Sequence, residues 1–183
     1  MITPNHLTYL RIVMAFFCPI LLLTNPSLST DFWVMFLFTF ACITDWWDGH
    51  LARKHGLITG MGKILDPIAD KVLILGLMLV FVYLGLYSFA WIFFIIVREV
   101  SVTLTRLIRL KQGKVIPAEW AGKVKVGFQI SSVSISLLLL TYLDFPGGNK
   151  DFFSVFNVFN QIGLLLANVF TISSGFLFFK RLS

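Results

Sequence analysis

Asp45, Asp48, Asp66 and Asp70 are the residues of this sequence whose types and spacing most plainly suggest chemistry. They are four of its nine acidic residues, gathered in one stretch between long apolar runs. Asp45 and Asp48 are three apart and Asp66 and Asp70 four apart, spacings that put each pair on one face of a helix. The first pair closes one apolar run and the second opens the next, so a tight connection between the runs brings all four carboxylates together. Clustered carboxylates repel one another and remain ionised together only with a cation among them. Hard oxygen donors of this kind suit Mg²⁺ or Mn²⁺. Gly49, beside Asp48, leaves room for a ligand or a neighbouring helix to approach the backbone. Trp46 and Trp47 read as aromatic anchors at a membrane interface.

A second group is cationic. Arg98, Glu99, Arg106 and Arg109 lie within or at the end of an apolar run, where charge is costly and implies function or pairing. Arg98 and Arg106 are eight apart, close to two helical turns and so roughly one face. Gly122-Lys123-Val124-Lys125 opens the next run and adds cations near the same surface. The pattern predicts a cationic pocket for a phosphorylated ligand, built from Arg98, Arg106, Lys123 and Lys125. Lys71 reads as local charge balance for Asp70, and Lys111 and Lys114 as topology signals. Cys18 and Cys42 lie inside apolar runs without motif spacing and read as small buried hydrophobes.

The elements that must position these groups are membrane spans. Of 183 residues, 57% are hydrophobic and 13% charged, against about 25% charged in soluble domains. Mean hydropathy is +0.86. Six apolar segments, each near the ~20 residues a bilayer requires, fall at about 7–24, 32–53, 66–87, 88–110, 122–142 and 157–179. The expected fold is therefore all-α, one domain over 1–183. Turn chemistry marks the breaks at Thr24 to Ser27, Gly85 to Ser88 and Pro146 to Asn149. Asp66-Pro67 has the form of a helix start, with Asp capping and Pro in the first turn. Residues 3–11 predict a short interfacial helix before the first span. That span contains Arg11 and lacks a cleavage site, so it stays attached. Asn157, Asn160, Gln161 and Asn168 in the last span predict interhelical hydrogen bonds. The formal net charge of +6 is a topology signal rather than a nucleic-acid one. Lys150 alone stands in the connections after segments one, three and five, whereas Arg53, Lys54, Lys63, Arg109, Lys111, Lys114, Lys180 and Arg181 mark the other side. Both termini and the Asp45–Asp70 stretch are thus expected to be cytoplasmic.

The sequence resembles the CDP-alcohol phosphotransferase family. That family's signature, Asp-x-x-Asp-Gly-x-x-Ala-Arg, a short gap, then Gly-x-x-x-Asp-x-x-x-Asp, is filled here by Asp45, Asp48, Gly49, Ala52, Arg53, Gly62, Asp66 and Asp70. Pro4-Asn5-His6-Leu7-Thr8 with Arg11, Arg98-Glu99 with Arg106, and Gly122-Lys123-Val124-Lys125 are similar to stretches of the members that use sn-glycerol 3-phosphate. The resemblance implies that CDP-diacylglycerol and sn-glycerol 3-phosphate give phosphatidylglycerophosphate and CMP. It implies that Asp45, Asp48, Asp66 and Asp70 hold two divalent cations and that Asp70 is the base. It implies that Asn5, Thr8, Arg11, Gly49, Arg53 and Thr59 contact the CDP-diacylglycerol, and that the protein is a homodimer in the bacterial cytoplasmic membrane. A sister enzyme acting on inositol phosphate, serine or a phospholipid is the alternative. A cation transporter would need its acids near mid-bilayer, at broken helices, whereas these stand at span ends.

Overall fold

The computed structural model describes residues 4–55, 62–112, 120–145 and 150–180; the side chains at 4–8, 46–55, 62–67, 70, 110–111, 121 and 150–151 lie outside that description. Six α-helices make up the described chain: α1 Pro4–Thr24, α2 Leu28–His55, α3 Gly62–Tyr83, α4 Phe89–Lys111, α5 Trp120–Leu143 and α6 Lys150–Lys180. An apolar run in a bilayer must satisfy its backbone within itself, and the helix does so. Each expected segment coincides with one helix, but two local expectations are corrected. Residues 4–10 continue into α1 as one helix rather than forming an interfacial helix of their own. Pro4 stands in the first turn of α1, where its missing N–H costs nothing. The Asp66-Pro67 pair does not start α3, which begins at Gly62 and carries both residues about a turn inside. Pro67 is the sixth residue of α3, beyond the first-turn positions where a proline costs least.

The helices pack through α1 against α2 and α3, α3 against α4 and α5, and α5 against α2 and α6, with α6 also against α4. The α1–α3 contact is close because Gly76 faces Pro19: a Cβ at 76 would stand 3.0 Å from Pro19 Cγ. Small residues serve helix packing in membranes in this way, because lipid offers no hydrophobic drive between helices. The turn after α3 closes on Gly85 at φ 75°, with Leu86 N donating to Phe81 O (2.8 Å) and Gly85 N to Val82 O (3.1 Å). These two hydrogen bonds over a left-handed glycine make a Schellman stop. Buried Cys18, Phe38, Leu77, Phe81, Ile92, Leu137 and Leu164 belong to the core. Cys18 is buried and Cys42 half-buried, and the two form no disulfide.

Polar residues tie α6 to its neighbours, with one departure from expectation. Asn160 accepts from Ser132 Oγ (2.6 Å) and donates to Ser136 Oγ (2.7 Å), and both serines meet the Tyr87 hydroxyl, at 3.0 and 2.8 Å. Gln161 donates to the Leu86 carbonyl. Asn168, by contrast, donates to Leu164 O one turn earlier in its own helix, at 2.9 Å. The Asn157 amide oxygen is buried without a partner among the described residues.

Among the described residues, three helices are long and apolar enough to cross a membrane by composition: Leu28–Asp45 in α2, Gly122–Leu143 in α5 and Phe152–Lys180 in α6. The outward surface is apolar, with Phe16, Phe32, Trp33, Phe94, Phe159 and Phe176 all exposed. A soluble monomer does not expose apolar area on this scale, and the protein is integral to the membrane. α4 falls short by composition because it carries Arg98, Glu99, Arg106 and Arg109.

Candidate active site

Arg98, Arg106, Lys123 and Lys125, expected to gather around a phosphate, line one cavity of about 330 Å³. α3 contributes Lys71, Ile74 and Leu75, α4 contributes Arg98, Glu99, Val102 and Arg106, and α5 contributes Gly122, Lys123, Lys125, Val126 and Gln129. Among the described residues, five cations and one carboxylate therefore line this cavity. Arg98 is held from both sides: its Nη2 donates to Ser174 Oγ on α6 (2.8 Å) and its Nη1 to Glu99 Oε1 (3.4 Å). α6 can lie this close because residue 175 is glycine; a Cβ there would stand 3.2 Å from Arg98 Cγ. The Arg106 guanidinium lies over the Phe178 ring, 5.4 Å from its centroid, a cation–π contact.

Glu99 is the hub. It is 3% exposed and accepts from the Lys125 ammonium, with Arg98 at 3.4 Å and Lys71 Nζ at 4.0 Å. Removing one partner of a buried ion pair costs about 3–5 kcal/mol when the other charge is left uncompensated. Glu99→Gln leaves three neighbouring cations facing one another. Lys125→Met leaves Glu99 still facing Arg98 and Lys71. We expect Glu99→Gln to lower the melting temperature in detergent clearly more than Lys125→Met does; equal or reversed losses would remove Glu99 from the centre of the cluster. From sequence, Glu99 is one of several charges in α4 that imply function or pairing, and Lys71 a local balance for Asp70; neither placement singles out Glu99 as the centre of the cluster. The available signal was that Glu99 is the single acid between Asp70 and Glu119, inside an apolar run. Gln129, Ser174 and Gly175 carried no such signal.

A smaller cavity of about 70 Å³ lies beside the first, lined by Arg11, Ala41, Cys42, Asp45, Leu73, Ile74, Val126 and Ile130. Ile74 and Val126 wall both cavities. Buried Arg11 donates from Nη1 to Asp45 Oδ1 at 2.7 Å, so α1 is tied to the acidic end of α2. Asp45 and Asp48 lie one turn apart on α2, and Asp66 and Asp70 one turn apart on α3. The side chains of Asp48, Asp66 and Asp70, with those of Asn5, Thr8, Gly49, Arg53, Trp46 and Trp47 and the whole of Thr59, lie outside the described residues. Among the described residues no group of three or more His, Cys, Asp or Glu side chains is gathered. The donor set fits a hard divalent cation: carboxylates only, paired at helical spacing on two helices.

The family model for CDP-alcohol phosphatidyltransferase matches residues 1–173. The chain is 38% identical over 146 residues to the CDP-diacylglycerol–glycerol-3-phosphate 3-phosphatidyltransferase of Bacillus subtilis, covering 79% of this chain and 70% of that protein. It is 31% identical over 180 residues to the protein of the same name from Rickettsia felis, covering 97% and 93%. A match over nearly the whole chain, with the eight fixed positions of the signature filled, means that this membrane transferase belongs to the CDP-alcohol phosphatidyltransferase family.

Proposed function

We propose that the protein transfers the phosphatidyl group of CDP-diacylglycerol to sn-glycerol 3-phosphate, giving phosphatidylglycerophosphate and CMP in phospholipid synthesis. The names of its relatives support the reaction. The observation that carries the acceptor is the cavity of five cations, which shares two wall residues with the cavity at Asp45. A phosphorylated alcohol seated there lies next to the acidic stretch, and Lys71 directly follows Asp70 in the chain.

In the reaction the acceptor's free terminal hydroxyl oxygen attacks the phosphorus that carries diacylglycerol. Its proton passes to the Asp70 carboxylate, and the bond from that phosphorus to the bridging oxygen breaks, leaving the electron pair on CMP. An alcohol is a weak nucleophile without a base within hydrogen-bond reach. Asp45, Asp48, Asp66 and Asp70 hold two divalent cations, Mg²⁺ or Mn²⁺, which when bound supply charge neutralisation at the pyrophosphate and the departing CMP. Asn5, Thr8, Arg11, Gly49, Arg53 and Thr59 bind the CDP-diacylglycerol, and the guanidinium of Arg53 offers a fork suited to phosphate oxygens. Arg98, Arg106, Lys123 and Lys125 seat the acceptor's phosphate. Positioning and electrostatics of this kind supply most of phosphoryl-transfer catalysis.

All six helices span the bilayer in this reading. α4 crosses despite its charges because Arg98 and Glu99 face protein rather than lipid. Both termini and the site are cytoplasmic, and the protein is a homodimer. The test is purified protein with CDP-diacylglycerol and a panel of acceptors: sn-glycerol 3-phosphate, inositol phosphate, serine and a phospholipid. CMP release and lipid product are expected with sn-glycerol 3-phosphate well above the others. A preference for serine or inositol phosphate would overturn the acceptor and leave the family chemistry standing.

A further inference from the structure

The larger cavity contains one group that the proposed reaction leaves unused. Gln129 is 3% exposed, lines the cavity, and its amide nitrogen is buried without a partner among the described residues. Among the described residues that line the cavity it is the one neutral polar side chain; the rest are charged, aliphatic or glycine. Gln129 stands four residues after Lys125, one turn and about 6 Å further along α5 from the Gly122-Lys123 end. A buried amide without a partner is costly unless something else completes its hydrogen bonds.

We propose that Gln129 reads the middle hydroxyl of the acceptor, and so sets the enzyme's preference for a phosphorylated polyol over a phosphorylated simple alcohol. This rests on the acceptor seating proposed above. sn-Glycerol 3-phosphate brings three polar groups. The phosphate goes to the cations and the terminal hydroxyl goes to the reacting phosphorus and base, which leaves the 2-hydroxyl. On the protein side, Glu99 is engaged by Lys125, Arg98 and Lys71, which leaves Gln129. A primary amide offers two donors and an acceptor without charge, so it can complement a hydroxyl without competing for the phosphate. A site built to bond a hydroxyl discriminates strongly against the analogue that lacks it, because its own polar group is then left unpaired.

The discriminating substrate is 3-hydroxypropyl phosphate, which keeps the phosphate and the attacking hydroxyl and lacks only the 2-hydroxyl. The native enzyme is expected to favour sn-glycerol 3-phosphate over it in kcat/KM by about 10- to 100-fold, roughly the loss of one bond at a buried polar group. Gln129→Leu should lose most of that ratio, by falling on sn-glycerol 3-phosphate while leaving the deoxy acceptor nearly unchanged. Gln129→Met, also apolar and of similar length, gives the same reading should the leucine variant fail to assemble. A parallel fall on both acceptors makes Gln129 a packing residue and overturns the proposal. Arg106→Ala, measured alongside, separates the two layers. If it leaves both acceptor KM values unchanged, the seating itself is wrong. If it raises both while Gln129→Leu keeps the native ratio, the seating stands and only the role of Gln129 falls.

Discussion

Asparagine at Asp45, Asp48 or Asp66 is expected to lower turnover by at least the ~10- to 100-fold that loss of an outer-shell partner costs a metal site. The substitution keeps the size and one oxygen of the side chain and removes its charge, so a fall reports the charge. Each variant should also need more Mg²⁺ or Mn²⁺ to reach its own half-maximal rate. Asp70→Asn is expected to behave differently, losing turnover by about 10²- to 10⁴-fold, the range for a positioned base, while CDP-diacylglycerol still binds appreciably. Equal loss of binding and turnover at Asp70 would make it mainly a metal ligand. Full activity of the native protein in excess EDTA would sink the metal reading for all four. Asp45 carries an additional role in the structure, since it accepts the Arg11 ion pair that ties α1 to α2.

Arg98→Ala and Arg106→Ala should each raise the KM for sn-glycerol 3-phosphate by roughly 10- to 150-fold and leave the CDP-diacylglycerol KM nearly unchanged. The magnitude follows from the ~1.5–3 kcal/mol of a hydrogen bond to a charged group. Its appearance in KM follows if the phosphate is bound equally in ground and transition states. The two arginines reach the cavity differently, Arg98 between Ser174 and Glu99 and Arg106 against Phe178. Arg98→Ala should therefore also disturb the Glu99 cluster and cost more stability. Steady-state kinetics with each substrate varied in turn checks the pattern. A rise confined to the CDP-diacylglycerol KM would move the arginines to the lipid-nucleotide site. No change in either constant would return them to topology signals.

The helices were legible in the sequence because apolar runs of bilayer length, separated by Pro, Gly and Asn, leave the backbone few alternatives. Helix ends were less so. Asp66-Pro67 has the form of a start because proline favours the first turn, yet α3 reaches back to Gly62. A polar, then amphipathic stretch at residues 3–11 predicts a break before the first span, but polarity does not interrupt a helix that packs on α2 and α3. Arg98, Arg106, Lys123 and Lys125 could be grouped because charge in an apolar run is conspicuous. That Glu99 accepts from several cations, and that the Gln129 amide lacks a partner among the described residues, are matters of packing that residue types and spacing do not reveal. Asn168 shows the converse: an amide in a span need not look outward, because its own helix offers a carbonyl one turn back.

The glycine at position 175 gives α6, which among the described residues brings no titratable group to the larger cavity, a hand in how that cavity is charged. A bulkier residue there crowds the stem of Arg98, whose Cγ and Nε would lie 3.2 and 3.5 Å from the new Cβ, so that Arg98 must give way by a few tenths of an ångström. In a survey of natural or random variants, Gly175→Val would look like a mild change in a lipid-embedded helix. Its phenotype should instead be grouped with those of the arginine variants: weakened use of the water-soluble substrate, with the lipid one handled normally.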